Sequence, residues 1–274
     1  MRAAAWVEVV RPVNVLALAA ATAVGARLSG ASGFSAILVV PALVAAFGYA
    51  RNDSIDTEPD IRNHPRRPIP TGRLTKGEAR ALGWGCLAAA AALMLAAHPS
   101  PRFYGLFALA AALLYAYSPW LKDRGAWGPV TVTVLSGLAV VWGSWLGPHP
   151  ERAVAAALVA ASVTFARECA KDLADLEGDR AAGRGTWPAR AGEARVQTAV
   201  RAASAAGLLA LPLPWLHGDV TPAYAFVAMG VGAPLLLRAI WKAPADQASA
   251  RASSVALKAT LYAGVAGLWL GAPR

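Results

Sequence analysis

The chain has 274 residues, of which 57% are hydrophobic or aromatic and only 15% are charged. Soluble domains carry about 25% charged residues, and the mean hydropathy of +0.44 departs from them in the same direction. The charges are also unevenly spread, because none occurs in residues 12–26, 28–50, 81–101, 125–150 and 202–218. Apolar stretches of about 18 residues or more are long enough to cross a membrane. The composition therefore predicts a multi-pass membrane protein and excludes a soluble enzyme or a disordered chain.

The apolar runs predict an all-α fold with nine transmembrane helices. Their approximate bounds are 12–30, 33–50, 80–98, 102–120, 126–147, 152–170, 197–216, 222–241 and 251–271. The runs are continuous, whereas the strands of an outer-membrane barrel alternate apolar and polar residues. We expect a single domain over 1–274 with half-repeats at roughly 11–125 and 126–241, because an acidic motif recurs in the two halves.

Lysine and arginine residues are concentrated on one side of this predicted topology. The N-terminus and the segments after spans two, four, six and eight hold 22 of the 26, when residues at span ends are counted with the nearer segment. Basic residues collect in the cytoplasmic segments of membrane proteins. We therefore expect a protein of the cell (inner) membrane with a cytoplasmic N-terminus. The net charge of +10 is then a signal of topology, and no nucleic-acid partner is expected.

Two segments on that face carry aspartates with the same DxxDxxxD spacing. These aspartates are Asp53, Asp56 and Asp60 in the first motif, and Asp172, Asp175 and Asp179 in the second. Residues three and four apart are neighbours on a helix, so each motif predicts a stripe of three carboxylates. Facing stripes of like charge need cations, and we expect about two metal ions there. Clustered oxygen ligands favour Mg²⁺, which completes its coordination with phosphate oxygens. The motifs therefore predict a diphosphate clamp bridged by Mg²⁺.

Basic side chains next to the acidic motifs predict further phosphate contacts. Arg66 and Arg67 lie in a proline-rich segment after the first motif, and Lys122 follows the fourth span. Arginine forks and lysine ammonium groups both match phosphate oxygens. The alternative is that these residues only anchor the chain at the cytoplasmic side of the membrane.

Taken together, the motifs resemble the UbiA superfamily of intramembrane prenyltransferases over about residues 11–193. The similar segments are Arg11-Pro12-Val13-Asn14, the first acidic motif with Asn52, the run 63–72, Tyr117-Ser118-Pro119 with Lys122, and 167–179. Within the superfamily, the second motif and the run 63–72 are most similar to the digeranylgeranylglyceryl phosphate synthase branch.

The resemblance implies nine helices around a central cavity with a cytoplasmic cap that includes the active-site loops. The implied Mg²⁺ ligands are Asn52, Asp53, Asp56, Asp60, Asp172, Asp175 and Asp179. The implied diphosphate contacts are Arg11, Asn14, Arg66, Arg67, Tyr117, Lys122 and Lys171. Catalytic roles would fall to Asp53, Asp56, Asp172, Asp175, Lys122 and Arg66.

The implied reaction moves an isoprenyl group from a prenyl diphosphate donor to a lipophilic acceptor in the membrane lipid, with release of pyrophosphate. The acceptor is either a glyceryl-phosphate lipid or an aromatic quinone precursor. One alternative is a terpene cyclase of the same fold, which uses no acceptor. Another is a non-enzymatic carrier, but a transporter usually places ionisable residues at mid-membrane. The sequence leaves prenyl chain length, acceptor identity and oligomeric state open.

Overall fold

The structure, a computed structural model, describes residues 2–33, 35–242 and 244–273, and their regular structure is helical. The α-helices are α1 (Arg2–Val9), α2 (Pro12–Leu28), α3 (Val40–Ile55), α4 (Thr57–Asn63), α5 (Lys76–Ala97), α6 (Pro101–Ala116), α7 (Trp127–Ser144), α8 (Val154–Ala181), α9 (Trp187–Ala191), α10 (Glu193–Ala210), α11 (Leu213–Leu216), α12 (Pro222–Val227), α13 (Ala233–Trp241) and α14 (Gln247–Gly271). Single 3₁₀ turns precede α3 and α8 (Ala36–Val39 and Pro150–Ala153), and π-helical turns follow α6 and α12 (Tyr117–Leu121 and Ala228–Gly232). The prediction of an all-α fold is confirmed.

Eight of the described helices are long and apolar enough to cross a membrane, and a ninth crossing results if α1 and α2 are counted as one bent span. The two helices meet at an angle of 40°. The predicted bounds differ most at the sixth span, because the sequence predicts 152–170 and the helix continues as α8 to Ala181. The second acidic motif is therefore the end of a transmembrane helix and not a separate loop.

The bend between α1 and α2 lies at Arg11. This residue has a positive φ of 53°, which is uncommon for a residue other than glycine. Pro12 follows it, and a proline disfavours the α conformation of the preceding residue and cannot continue a helix. The backbone at this bend is held in a strained conformation, as is often found at functional sites.

The first acidic motif does not lie on one continuous helix. Helix α3 ends at Ile55, Asp56 adopts a non-helical turn conformation, and α4 begins at Thr57. The predicted single stripe is therefore wrong for Asp53, Asp56 and Asp60. Asp56, in the break, pairs with Lys122 and Arg184, whereas Asp53 and Asp60 share Arg67.

Helices α2 and α7 approach each other closely through two glycines. A Cβ atom on Gly143 would lie 1.8 Å from the backbone oxygen of Thr22, and one on Gly25 would lie 2.2 Å from that of Val140. Small residues allow this kind of backbone contact between membrane helices. The contact fixes α2, and with it Arg11, relative to the rest of the bundle.

Candidate active site

A cavity of about 300 Å³ lies between α2, α3, α7, α8 and α14. Most of its wall is apolar and includes Leu18, Val44, Leu135, Val159 and Val265. One end, which we call the acidic end, is lined by carboxylates and cations from both acidic motifs and their neighbours. The cavity thus joins a charged end to a long apolar chamber.

Two arginines neutralise the first motif at the acidic end. Arg67 Nη1 lies 2.6 Å from Asp60 Oδ2 and 3.4 Å from Asp53 Oδ1. Arg11, at the bend before α2, forms an ion pair with Asp53. Burial raises the pKa of the Asp60 carboxyl above its ordinary value, although the charge of Arg67 opposes this shift. Arg11 and Arg67 therefore join three parts of the chain around two buried carboxylates.

Asp56, in the break between α3 and α4, is the most enclosed aspartate of the first motif. It forms ion pairs with Lys122 and with Arg184, whose Nη2 lies 2.9 Å from Asp56 Oδ1. Asn52 Nδ2 donates to Asp56 Oδ2 at 2.7 Å. Burial alone would raise the pKa of Asp56, but Lys122 and Arg184 outweigh it and hold that pKa below its ordinary value. Asp56 is therefore ionised at neutral pH.

In the second motif, one lysine forms ion pairs with three carboxylates on the same face of α8. Lys171 Nζ lies 3.3 Å from Asp172 Oδ1, 3.7 Å from Asp175 Oδ2 and 3.7 Å from Glu168 Oε2. His64, which follows α4, places Nε2 3.4 Å from Asp175 Oδ1. The predicted stripe is present here, because α8 is continuous through the motif.

The two motifs meet through Asn63 and Gly178. Asn63 Nδ2 donates to the backbone oxygen of Asp175 at 2.8 Å. A Cβ atom on Gly178 would lie 2.3 Å from Asn63 Oδ1, so any side chain at this position would displace the Asn63 amide. This contact brings the first and second acidic motifs to the same end of the cavity.

The π-helical turn after α6 positions Tyr117 and Lys122. The Lys122 N–H donates to the backbone oxygen of Tyr117 at 2.8 Å, which is the spacing of a π turn. Pro119 within the turn has no N–H to continue an α-helix. Tyr117 and Lys122 both line the cavity, and π turns of this kind are frequent at functional sites.

The structure places most of the predicted site residues on the cavity wall. Those that line it are Arg11, Asn14, Asn52, Asp60, Arg67, Tyr117, Lys122, Lys171, Asp175 and Asp179. Asp53, Asp56 and Asp172 are buried outside that lining, where they hold the cations in place. Arg66 is exposed instead, and its backbone oxygen accepts a hydrogen bond from Arg73 Nη2 at 2.8 Å. The geometry therefore favours Arg67 and not Arg66 for a role in the cavity.

Arginines and lysines are interleaved with the aspartates of both motifs, so these carboxylates already have cationic side chains as partners. Within the described residues, no three carboxylate, histidine or cysteine side chains are grouped closely enough to hold a metal ion by themselves. Mg²⁺ does not require such a cage, since it is commonly held by one or two carboxylates together with substrate phosphates. Asp60, Asp175 and Asp179 supply hard oxygen atoms on the cavity wall, so the residues present fit Mg²⁺.

Sequence reasoning missed Arg184 as a site residue. Its Nη2 lies 2.9 Å from Asp56 Oδ1 and 3.3 Å from the backbone oxygen of Ser118. Arg184 lies between Gly183 and Gly185 in the turn after α8, and the positive φ of Gly183 shows that this turn is tight. An arginine flanked by glycines just after the second motif is the only sequence signal of this role.

Residues 13–263 match the UbiA prenyltransferase family. The chain is 36% identical over 239 residues to a digeranylgeranylglyceryl phosphate synthase of Methanopyrus kandleri, and the match covers 86% of this chain and 88% of that one. It is 38% identical over 218 residues to a digeranylgeranylglyceryl phosphate synthase of Halobacterium salinarum, with 77% and 78% covered. The chain belongs to the UbiA prenyltransferase family, and the prediction of a prenyltransferase is confirmed.

Solved structures of similar proteins have the same fold. A structure described as that of digeranylgeranylglyceryl phosphate synthase in membranes superposes with a TM-score of 0.74 at 21% identity, covering 98% of both chains. A UbiA homologue from Archaeoglobus fulgidus bound to GPP and Mg²⁺ gives a TM-score of 0.68 at 19% identity, covering 97% of this chain and 99% of that one. The predicted helical architecture is therefore confirmed by comparison as well.

The neighbouring arginines Arg66 and Arg67 offer a matched test of the site. We expect Arg67→Gln to lower turnover by about 10- to 100-fold, because a charged hydrogen-bond partner at the cavity is lost. Arg66→Gln, at an exposed position, should leave turnover within about twofold of the wild type. Steady-state assays of the purified variants measure both, and thermal unfolding in detergent shows whether each variant is folded. Equal losses of turnover in two folded variants would contradict the assignment of Arg67, and not Arg66, to the cavity.

Proposed function

We propose that this prenyltransferase is Mg²⁺-dependent and transfers an isoprenyl group from a prenyl diphosphate to a glyceryl-phosphate lipid, with release of pyrophosphate. The observation that carries the proposal is a cavity that joins an end rich in cations and carboxylates to an apolar chamber. The similarity to digeranylgeranylglyceryl phosphate synthases supports a glyceryl-phosphate acceptor.

The acidic end has the groups needed to bind a diphosphate. Arg11, Arg67 and Lys122 all line the cavity, and each now forms an ion pair with an aspartate. In the proposed complex these cations turn from the aspartates to the phosphate oxygens, which match a guanidinium fork or an ammonium group.

The aspartate oxygens that the cations release are then available to a metal ion. The residues that would hold Mg²⁺ are Asn52, Asp53, Asp56, Asp60, Asp172, Asp175 and Asp179. When bound, Mg²⁺ supplies neutralisation of the leaving pyrophosphate. Its shell is commonly completed by substrate phosphates, so metal and donor are expected to bind together.

The transfer breaks the bond between C1 of the prenyl chain and the bridging diphosphate oxygen, and the electron pair leaves with pyrophosphate. Arg11, Arg67 and Lys122 stabilise the charge that develops on the departing oxygens. The acceptor hydroxyl oxygen then bonds to C1, and its proton is lost to solvent at the acidic end. Tyr117, in the π turn, also lines the cavity.

The apolar part of the cavity is suited to the hydrocarbon chain of the donor. Its wall is built from leucine, valine and alanine side chains of α2, α3, α7, α8 and α14. These side chains match the isoprenyl chain in polarity, so the chain can lie against them without contact with water. The same walls keep water away from the allylic cation until the acceptor attacks.

A product assay with purified protein tests this function. With a prenyl diphosphate and Mg²⁺, we expect pyrophosphate release and a prenylated product only when a glyceryl-phosphate lipid is supplied. The prenyl monophosphate and excess chelator should each stop the reaction, since both remove oxygen–metal contacts at the leaving group. Asp172→Asn serves as the inactive control, because it removes a carboxylate from the proposed clamp.

Mass spectrometry of the products separates the possible outcomes. Transfer only to an aromatic acceptor would refute the glyceryl-phosphate proposal, and a cyclised donor formed without any acceptor would indicate a terpene cyclase.

We further propose that the acidic end faces the cytoplasm of the cell membrane. Basic residues support this orientation, because the segment near the acidic end carries Arg66, Arg73 and Lys76. On the opposite side, Arg102 lies in the first turn of α6 and Arg152 lies in the 3₁₀ turn before α8.

Single cysteines placed at Arg66 and Arg152 in a variant without Cys86 and Cys169 are expected to react with a membrane-impermeant thiol reagent from opposite faces. In intact cells only the cysteine at position 152 should be labelled. Labelling of both from outside, or of position 66 alone, would refute the orientation.

A further inference from the structure

Lys258 is a charged residue well inside the membrane-spanning helix α14. Its side chain lines the same cavity as the acidic end, although its sequence position suggests only a basic residue near a cytoplasmic segment. Ionisable residues inside transmembrane helices are costly, and those that face an interior cavity usually mark a substrate or ion path. Lys258 is therefore a candidate ligand-binding residue.

Lys258 belongs to a continuous stripe of α14 that faces the cavity. The stripe consists of Lys258, Leu261, Tyr262, Val265 and Leu268. These positions are three or four residues apart, which is the spacing of one helix face. Lys258 Nζ lies 5.5 Å from the centre of the Tyr262 ring, within the range of a cation–π contact. The two polar residues of the stripe are therefore neighbours on an otherwise apolar wall.

Both polar groups lack an acceptor in the part of the chain that the structure describes. None of the ion pairs among those residues includes Lys258. The hydroxyl oxygen of Tyr262 is buried and has no hydrogen-bond partner within the same residues. A buried polar group without a partner is costly, and such groups are rare in folded proteins. An anion between Lys258 and Tyr262 would satisfy both.

Lys258 differs from the cations of the acidic end, because those cations already have carboxylate partners. Arg11, Arg67 and Lys122 each form an ion pair with an aspartate of the first motif. Lys258 forms no such pair among the residues that the structure describes, and it lies eleven residues beyond Gln247, the first residue of α14. The donor diphosphate therefore has its own cations at the acidic end, and Lys258 is available to a second group.

We propose that Lys258 and Tyr262 bind the phosphate of the glyceryl-phosphate acceptor. This inference rests on the proposed function, because it assumes that the acceptor carries an anionic oxygen group. The ammonium group of Lys258 would form a charge-assisted hydrogen bond to the phosphate, and the Tyr262 hydroxyl would donate a second one. Two separate cationic sites would keep the acceptor phosphate away from the like-charged diphosphate. The acceptor hydroxyl, only a few bonds from its phosphate, would then point toward the donor.

Steady-state kinetics of α14 variants test this assignment. Lys258→Gln should raise the KM for the glyceryl-phosphate acceptor by about 10- to 100-fold, since one charged hydrogen bond is lost. The KM for the prenyl diphosphate should stay within about twofold, because other residues bind it. Lys258→Arg should restore most of the acceptor affinity, and Tyr262→Phe should cause a smaller loss. Lys76→Gln, at an exposed lysine at the start of α5, is the matched control and should behave as the wild type.

A pair of acceptors with and without the phosphate separates this inference from the proposed function. The wild type should prefer the phosphorylated acceptor over the corresponding neutral prenylglycerol, and Lys258→Gln should lose that preference. If the wild type uses the phosphorylated acceptor but Lys258→Gln has an unchanged KM for it, the assignment of Lys258 is refuted and the proposed function stands. If the wild type releases pyrophosphate with an aromatic acceptor but never prenylates the phosphorylated one, the proposed function fails and the phosphate assignment fails with it.

Discussion

The neutralisation of buried carboxylates is the constraint on which the site of this protein depends. Asp53, Asp56 and Asp172 are only 3%, 1% and 4% exposed. A buried carboxylate without a partner costs several kcal/mol, so each one requires a cation in contact. The cations come from distant parts of the chain, such as Arg11 before α2 and Lys122 after α6. The ion pairs therefore hold the helices around one end of the cavity, and in the proposed complex their cations bind the diphosphate.

The same constraint explains how one cavity can serve a metal, a diphosphate and a hydrocarbon chain. In the free protein the aspartates are occupied by arginine and lysine side chains, and the acidic end is close to neutral. Mg²⁺ and a diphosphate bring charges of opposite sign, so each can take one partner of an existing ion pair without leaving a bare charge behind. In the proposed complex, the apolar walls behind this end hold the prenyl chain. Lys258, which also lines the cavity, would then bind a second anion.

The sequence predicts those features that depend on local patterns, and it fails where distant segments meet. Hydropathy locates the spans because each one must be apolar over about 18 residues or more. The DxxDxxxD spacing predicts the carboxylate face correctly on α8, but not across the break at Asp56. The choice between Arg66 and Arg67 depends on the loop conformation, and the pairing of Arg184 with Asp56 joins residues 128 positions apart. A count of basic residues likewise treats Lys258 as a topology signal, because only the packing of α14 shows that it faces the cavity.

The most direct test of this account is whether Mg²⁺ and the donor strengthen each other's binding. The equilibrium dissociation constant of a non-reactive thiol analogue of the prenyl diphosphate would be measured by calorimetry, with Mg²⁺ and with excess chelator. Exchange of ion-pair partners predicts that Mg²⁺ tightens binding of the analogue by about 10- to 100-fold and that the analogue tightens Mg²⁺ binding by the same factor. Equal affinity for the analogue in Mg²⁺ and in chelator would show that the arginines and lysines bind the diphosphate without releasing their aspartates to a metal, and would contradict the account.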